Sequence, residues 1–118
     1  MNNYRELKVW QISIELAVEL YSILKSFPKS EQFGLTSQIK RSAISISSNI
    51  AEGAGRNSKK EFNQFLGVAS GSTSELSTQL EIAQRIGFLQ NSDYKLIEEK
   101  IAYVQKMIYK LQKSLKNS

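Results

Sequence analysis

The feature that most constrains the fold is a row of apolar or small residues, spaced alternately by three and four, that recurs four times along the chain. The first row is Leu7, Trp10, Ile14, Ala17, Tyr21, Leu24, ending where Phe27-Pro28 disfavours further helix. The second is Leu35, Ile39, Ala43, Ile46, Ile50 and stops at Gly53 and Gly55. The third is Phe62, Leu66, Ala69, Thr73, Leu76, Leu80, Ala83, closing near Gly87. The fourth, after an Asn91-Ser92 start, is Tyr94, Ile97, Ile101, Val104, Ile108, Leu111, Leu115. This spacing gathers each row on one helix face, and burying that face is what makes such a helix stable in water. A period near 3.5 residues favours helices that cross at about 20° and are joined by short loops. No segment shows the alternation of a strand. The sequence predicts an all-α fold, an antiparallel up-down-up-down four-helix bundle, with residues 1–118 as one domain.

Three local features refine this. Ser58-Lys59-Lys60-Glu61 fits a capping box, in which the Ser hydroxyl and the Glu carboxylate each take an orphan backbone donor. Ala69-Ser70-Gly71-Ser72-Thr73-Ser74 is rich in weak helix formers, yet the third row runs through it. With Gly67 four residues before Gly71, it would let a neighbouring backbone approach closely, in the same chain or in another subunit. Helix one carries a second row, Val9, Ile12, Leu16, Leu20, Ile23, which either widens its core-facing stripe or serves self-association.

Composition narrows the chemistry. An apolar share of 41% in 118 residues is enough to build a core. With no cysteine there is no disulfide, thiolate zinc site, thiolate nucleophile or iron-sulfur cluster, and with no histidine the commonest general base and metal ligand is missing. Di-iron bundles need Glu-x-x-His motifs, and there is no P-loop glycine pattern. The expectation is a non-catalytic protein with no cofactor, no metal and no small-molecule substrate. No run approaches the roughly 18 apolar residues of a membrane helix, and Met1-Asn2-Asn3-Tyr4 with Glu6 does not read as a secretion signal. A cytoplasmic protein is expected, with no membrane partner.

Charge points to a location. There are 16 Lys+Arg against 11 Asp+Glu, a net charge of +5. In an up-down-up-down bundle the start of helix one, the loop between helices two and three and the end of helix four meet at one end. Arg5, Lys8, Arg56, Lys59, Lys60, Lys106, Lys110, Lys113 and Lys116 then gather there against Glu6, Glu52 and Glu61, and from Ala102 onward there is no acid. One reading is that these lysines only oppose the helix macrodipole. The other makes Arg56, Lys59, Lys60, Lys106, Lys110, Lys113 and Lys116 a nucleic-acid-binding pole. Lysines act as point charges, so this pole would recognise shape and phosphate backbone rather than base sequence. Aromatic residues able to stack on bases look few near this end.

Helix two also carries a polar strip, Arg41, Ser45, Ser48, Asn49, Glu52 and Arg56. It could be a site, even an enzyme site centred on Glu52, or a hydrogen-bonded network between helices or subunits in which Glu52 bonds Arg41 or Arg56. The acid pairs Glu15/Glu19 and Glu98/Glu99 read as solvated faces.

Several stretches carry a family resemblance: Leu7-Lys8-Val9-Trp10-Gln11, Phe27-Pro28 with Glu31-Gln32-Phe33-Gly34-Leu35, and above all Ser45 to Arg56, SISSNIAEGAGR. Phe62, Phe65-Leu66, Ser70-Gly71-Ser72 and Glu75-Leu76 continue it. Over nearly its whole length the chain resembles the four-helix-bundle proteins encoded within intervening sequences of bacterial 23S ribosomal RNA genes. Ser47 departs from the pattern, which often has proline there. The resemblance implies a homo-oligomer, a pentameric ring, with a molecular role mostly unassigned. It also marks Arg41, Asn49, Glu52, Gly53 and Arg56 as motif residues, structural or at the oligomer interface. A similar fold occurs in the accessory protein of diversity-generating retroelements, a basic pentamer that binds nucleic acid and the reverse transcriptase. RNA, DNA or a nucleoprotein are therefore the expected partners, and a structural protein-protein interaction module is the alternative.

Overall fold

The four apolar rows become four α-helices. A computed structural model describes residues 3–117, so Ser118 and the Met1-Asn2 start read above lie outside it. The helices are α1 (Lys8–Leu24), α2 (Leu35–Ala54), α3 (Lys59–Arg85) and α4 (Asn91–Lys116), with short 3-10 turns at Tyr4–Glu6 and Lys29–Glu31. Among the described residues there is no strand.

Each helix end has a local cause. Leu35 N–H at the start of α2 bonds Glu31 Oε1 at 3.1 Å. The end of α3 is closed by Gly87 at φ +86, with Phe88 N–H on Ala83 O at 2.9 Å and Gly87 N–H on Gln84 O at 3.2 Å. This is a Schellman motif, whose left-handed position glycine occupies without strain. Asn91 does not cap α4; its Oδ1 accepts from Gln84 Nε2 at 2.6 Å and ties the helix to the end of α3.

In α2, α3 and α4 the expected rows are the buried ones. Ile39, Ala43, Ile46, Ile50, the whole third row from Phe62 to Ala83, and Ile97, Ile101, Val104 and Ile108 join one cluster. Leu35, Tyr94, Leu111 and Leu115 pack half-buried on its ends. Helix α1 differs. The side chains it buries are Val9, Ser13, Leu16, Leu20 and Leu24, while Tyr21 of the first row is exposed. The sequence hides this because Ser13 interrupts the row that actually faces inward. Ser13 is 1% exposed and satisfies itself locally, its hydroxyl donating to Trp10 O at 2.8 Å. With Ile12 and Ile23 packed on the same cluster, the second row of α1 is part of the core-facing stripe.

Among the described residues, the backbone of α1 approaches α2 and α4, and that of α3 approaches α2 and α4, while the two diagonal pairs stay farther apart. Polar bonds pin these seams. Ser45 Oγ shares a hydrogen bond with Ser72 Oγ at 2.8 Å between α2 and α3. Gln105 Nε2 donates to Thr73 Oγ1 at 2.9 Å, and Ser77 Oγ to Glu98 Oε1 at 2.8 Å, between α3 and α4. Lys100 Nζ bonds Glu19 Oε2 between α4 and α1. Glu19 and Glu98 are thus seam residues rather than solvated faces. At one end the Phe27 ring, from the α1–α2 connection, meets Phe88, from the α3–α4 connection, edge to face at 5.8 Å.

The close backbone approach lies at Gly53, not at Gly67 or Gly71. A Cβ on Gly53 would stand 2.7 Å from Phe65 Cβ, 3.0 Å from Phe62 Cδ1 and 3.2 Å from Phe62 O. Gly53 therefore does not stop α2; it lies in the last turn and admits α3. A Cβ on Gly71 would meet nothing within 4 Å, and one on Gly67 only Gln112 Nε2 at 3.9 Å. Gly53→Ala is expected to destabilise the fold by about 1–3 kcal/mol through overpacking, seen as a lower urea midpoint at unchanged slope.

Candidate nucleic-acid interface

The start of α3 is fixed by Ser58, whose Oγ accepts the Glu61 N–H at 3.1 Å. The reciprocal half of the expected capping box is replaced: the Ser58 hydroxyl itself donates to Glu61 Oε1 at 3.3 Å. This cap leaves Lys59 and Lys60 exposed on the first turn. The end of α4 lies alongside. An open cleft of about 350 Å³ is lined by Asn63 of α3 and by Tyr109, Gln112, Lys113, Lys116 and Asn117. It adjoins a second hollow bounded by Lys59, Lys60, Asn63, Leu115 and Lys116.

Four of the proposed basic residues, Lys59, Lys60, Lys113 and Lys116, therefore line two adjoining hollows that share Asn63 and Lys116. Arg56 sits on the α2–α3 turn, its guanidinium 4.8 Å from the Phe65 ring centre and 3.9 Å from Glu52. Lys106 and Lys110 are exposed but line neither hollow. Lys106 follows Gln105, which bonds Thr73 in the middle of α3, and by helix rise it stands about 15 Å from Lys116 along the axis. Expected at the end of the bundle, Lys106 instead lies nearer the middle of α4, because each helical residue advances about 1.5 Å along the axis. Among the described residues none of these six lysines has an ion pair.

Within the polar strip of α2, Ser45 and Asn49 form a hydrogen-bonded network. Asn49 Nδ2 donates to Ser45 O at 2.8 Å and Ser45 Oγ at 3.0 Å, and Ser45 Oγ holds Ser72 of α3. The network joins two helices of the same chain. Arg41 lines a shallow groove between α2 and α3 with Gln38, Ser42, Ser45, Glu75 and Gln79. Glu52 pairs with Arg56, not Arg41, and its side chain is 59% exposed. No three carboxylates gather as a metal-binding set among the described residues, and no helix is long and apolar enough to cross a membrane.

The sequence profile described as "23S rRNA-intervening sequence protein" matches residues 5–110. The chain belongs to that family. Its fold is similar to the crystal structure of a protein of unknown function from the S23 ribosomal protein family of Bacteroides thetaiotaomicron. The two share 26% identity at a TM-score of 0.83, over 89% of this chain and 95% of that one. No curated protein matches. The family match ends at Lys110, so Lys113 and Lys116, which build the α4 wall of the cleft, lie beyond it. Within the match, Ser47 is 5% exposed and its hydroxyl bonds Ile44 O at 3.2 Å; α2 runs unbroken through it.

One aromatic residue escaped the sequence reading. Tyr109 is 63% exposed and lines the basic cleft. The available signal was its spacing: Tyr109, Lys113 and Lys116, at i, i+4 and i+7, share one helix face. At the other end of α4 the Tyr94 hydroxyl is pushed above its ordinary pKa by burial, then by the carboxylates of Glu98 and Glu81. It holds its proton at neutral pH and takes no part in the basic end.

Proposed function

We propose that this member of the 23S rRNA-intervening sequence protein family is a non-catalytic cytoplasmic module that binds RNA or another nucleic acid, bare or in a nucleoprotein, through its basic end. The observation that carries the reading is the pair of adjoining hollows lined by Lys59, Lys60, Lys113 and Lys116, with no carboxylate of the described residues ion-paired to any of them. Unpaired lysines around adjoining hollows favour polyanions, because each phosphate contact releases a condensed counterion. The proposed bundle course is antiparallel, up-down-up-down. Support comes from pairings that descend along one helix as they ascend along its neighbour: Ser45 with Ser72 and Gly53 with Phe62, then Thr73 with Gln105 and Ser77 with Glu98.

The module is further proposed to act as a homo-oligomer, with five subunits as the number its family resemblance implies. Ile44, Val68 and Ile82 are exposed on α2 and α3, and Gly71 leaves open space beside α3. These features also favour the second reading, a protein-protein interaction module whose basic end is only solubilising. Gly71→Ala separates fold from assembly: the isolated subunit should gain about 0.5–1 kcal/mol of helix stability, while a Gly71→Trp variant should lose oligomeric mass.

The direct test is binding of the purified protein to a fluorescent structured RNA and to duplex DNA at low salt, with mass recorded by light scattering. Dissociation constants at or below about 1–100 µM are expected at moderate salt. An intact oligomer that binds neither would refute nucleic-acid binding and leave the protein-partner reading.

A further inference from the structure

Resting on the nucleic-acid reading, we infer that the cleft between the start of α3 and the end of α4 takes single-stranded nucleic acid, with one unpaired base stacked on Tyr109 and its flanking phosphates held by lysines. Three observations place it. Tyr109 presents most of its ring to solvent, 63% exposed, although it lines a concave wall. Lys113 and Lys116 stand one and two turns beyond it on the same face, and Lys59 and Lys60 border the adjoining hollow across Asn63. A stacking ring with a run of cations leading away from it is the arrangement of a single-strand platform, since every base has a π-face and every linkage a phosphate.

The third observation concerns Asn63. It belongs to both hollows, and its Oδ1 is buried without a hydrogen-bond partner. A buried acceptor left unpaired is costly, and once the Asn63 amide turns outward into the hollow a base N–H from the Watson–Crick edge would satisfy it. That edge is free only in a single strand, because in a duplex its donors are already engaged. The side chains facing the cleft thus favour unpaired bases over the continuous phosphate ridges of a helix, without reading a particular sequence.

The test uses the full chain and 12-nucleotide fluorescent probes of one sequence: single-stranded RNA, single-stranded DNA, and each paired with its complement. Both single strands should bind more tightly than either duplex. Tyr109→Ala should weaken single-strand binding roughly 5- to 100-fold, the range given by loss of one stacked base, and leave duplex binding nearly unchanged. Tyr109→Phe should retain binding. Equal binding of single strands and duplexes, unaffected by Tyr109→Ala, would overturn the single-strand site while leaving the basic end as a general phosphate binder. Absence of binding to all four probes would overturn both. Because Tyr109 is exposed, unchanged helical content in the variants shows that the fold is intact.

Discussion

Replacing Lys59, Lys60, Lys113 and Lys116 together by glutamine is expected to weaken nucleic-acid binding on the order of a thousandfold at about 50 mM salt. The figure follows from losing about four phosphate contacts, each worth roughly 0.7 in salt slope for a single strand. All four side chains are exposed, so their loss opens no cavity. Lys113 and Lys116 lie in the last turn of α4, where cations oppose the macrodipole. Their neutralisation should cost at most about 0.3–1 kcal/mol each. The two readings of this charge therefore diverge. If the lysines serve only the helix end, the variant loses a little stability and no binding; if they hold phosphates, binding collapses while the urea midpoint barely moves. A Lys106→Gln variant should fall far short of the quadruple one, because Lys106 stands near mid-helix outside the cleft.

Phe62→Ala should destabilise the fold by about 3–5 kcal/mol, a large part of the roughly 5–15 kcal/mol that holds a small domain together. Phe62 is fully buried on the first turn of α3, and its ring lies under the last turn of α2 at Gly53. Removing it leaves a cavity beside the close contact of α2 with α3 at Gly53. A second substitution sharpens the account. Gly53→Ala should remain destabilising in the Phe62→Ala background, because the nearest obstacle to a new Cβ is Phe65 Cβ at 2.7 Å, fixed to the α3 backbone. Urea denaturation of the two single variants and the double variant measures this. Complete relief of the Gly53→Ala penalty by Phe62→Ala would show that the ring, not the backbone approach, demands glycine.

How much could be read from the residues depended on what lay opposite them. The rows of α2, α3 and α4 were legible because their buried positions are nearly all apolar or small. In α1 the buried row contains Ser13, whose self-satisfied hydroxyl makes a core position look polar, so the stripe was read about 100° out of phase. Glycine gave a similar lesson. The sequence announces small residues at Gly53, Gly67 and Gly71 alike, but only the facing helix decides which admits a neighbour, and that is Gly53. Seam ion pairs such as Glu19 with Lys100, 81 residues apart, have no local signal.

At the candidate site, the meeting of Lys59 and Lys60 with Lys113 and Lys116 was legible from charge placement and short connections. Lys106 lies short of the hollows because helix rise sets it about 15 Å back from Lys116. Tyr109 was missed because its role depends on Asn63 of α3 lying across from it. Single-chain patterning shows which face of a helix is apolar; it does not show which residues of another helix complete a hollow.

The central claim is that the cleft's lysines bind phosphates, and the most direct test is the slope of binding affinity against salt concentration for the intact protein, measured beside the Lys59/Lys60/Lys113/Lys116→Gln variant. A steep fall of the logarithm of affinity with the logarithm of salt is predicted for the unmodified protein, shallower by about three units in the variant. Equal slopes for the two proteins, or an affinity that ignores salt, would contradict it.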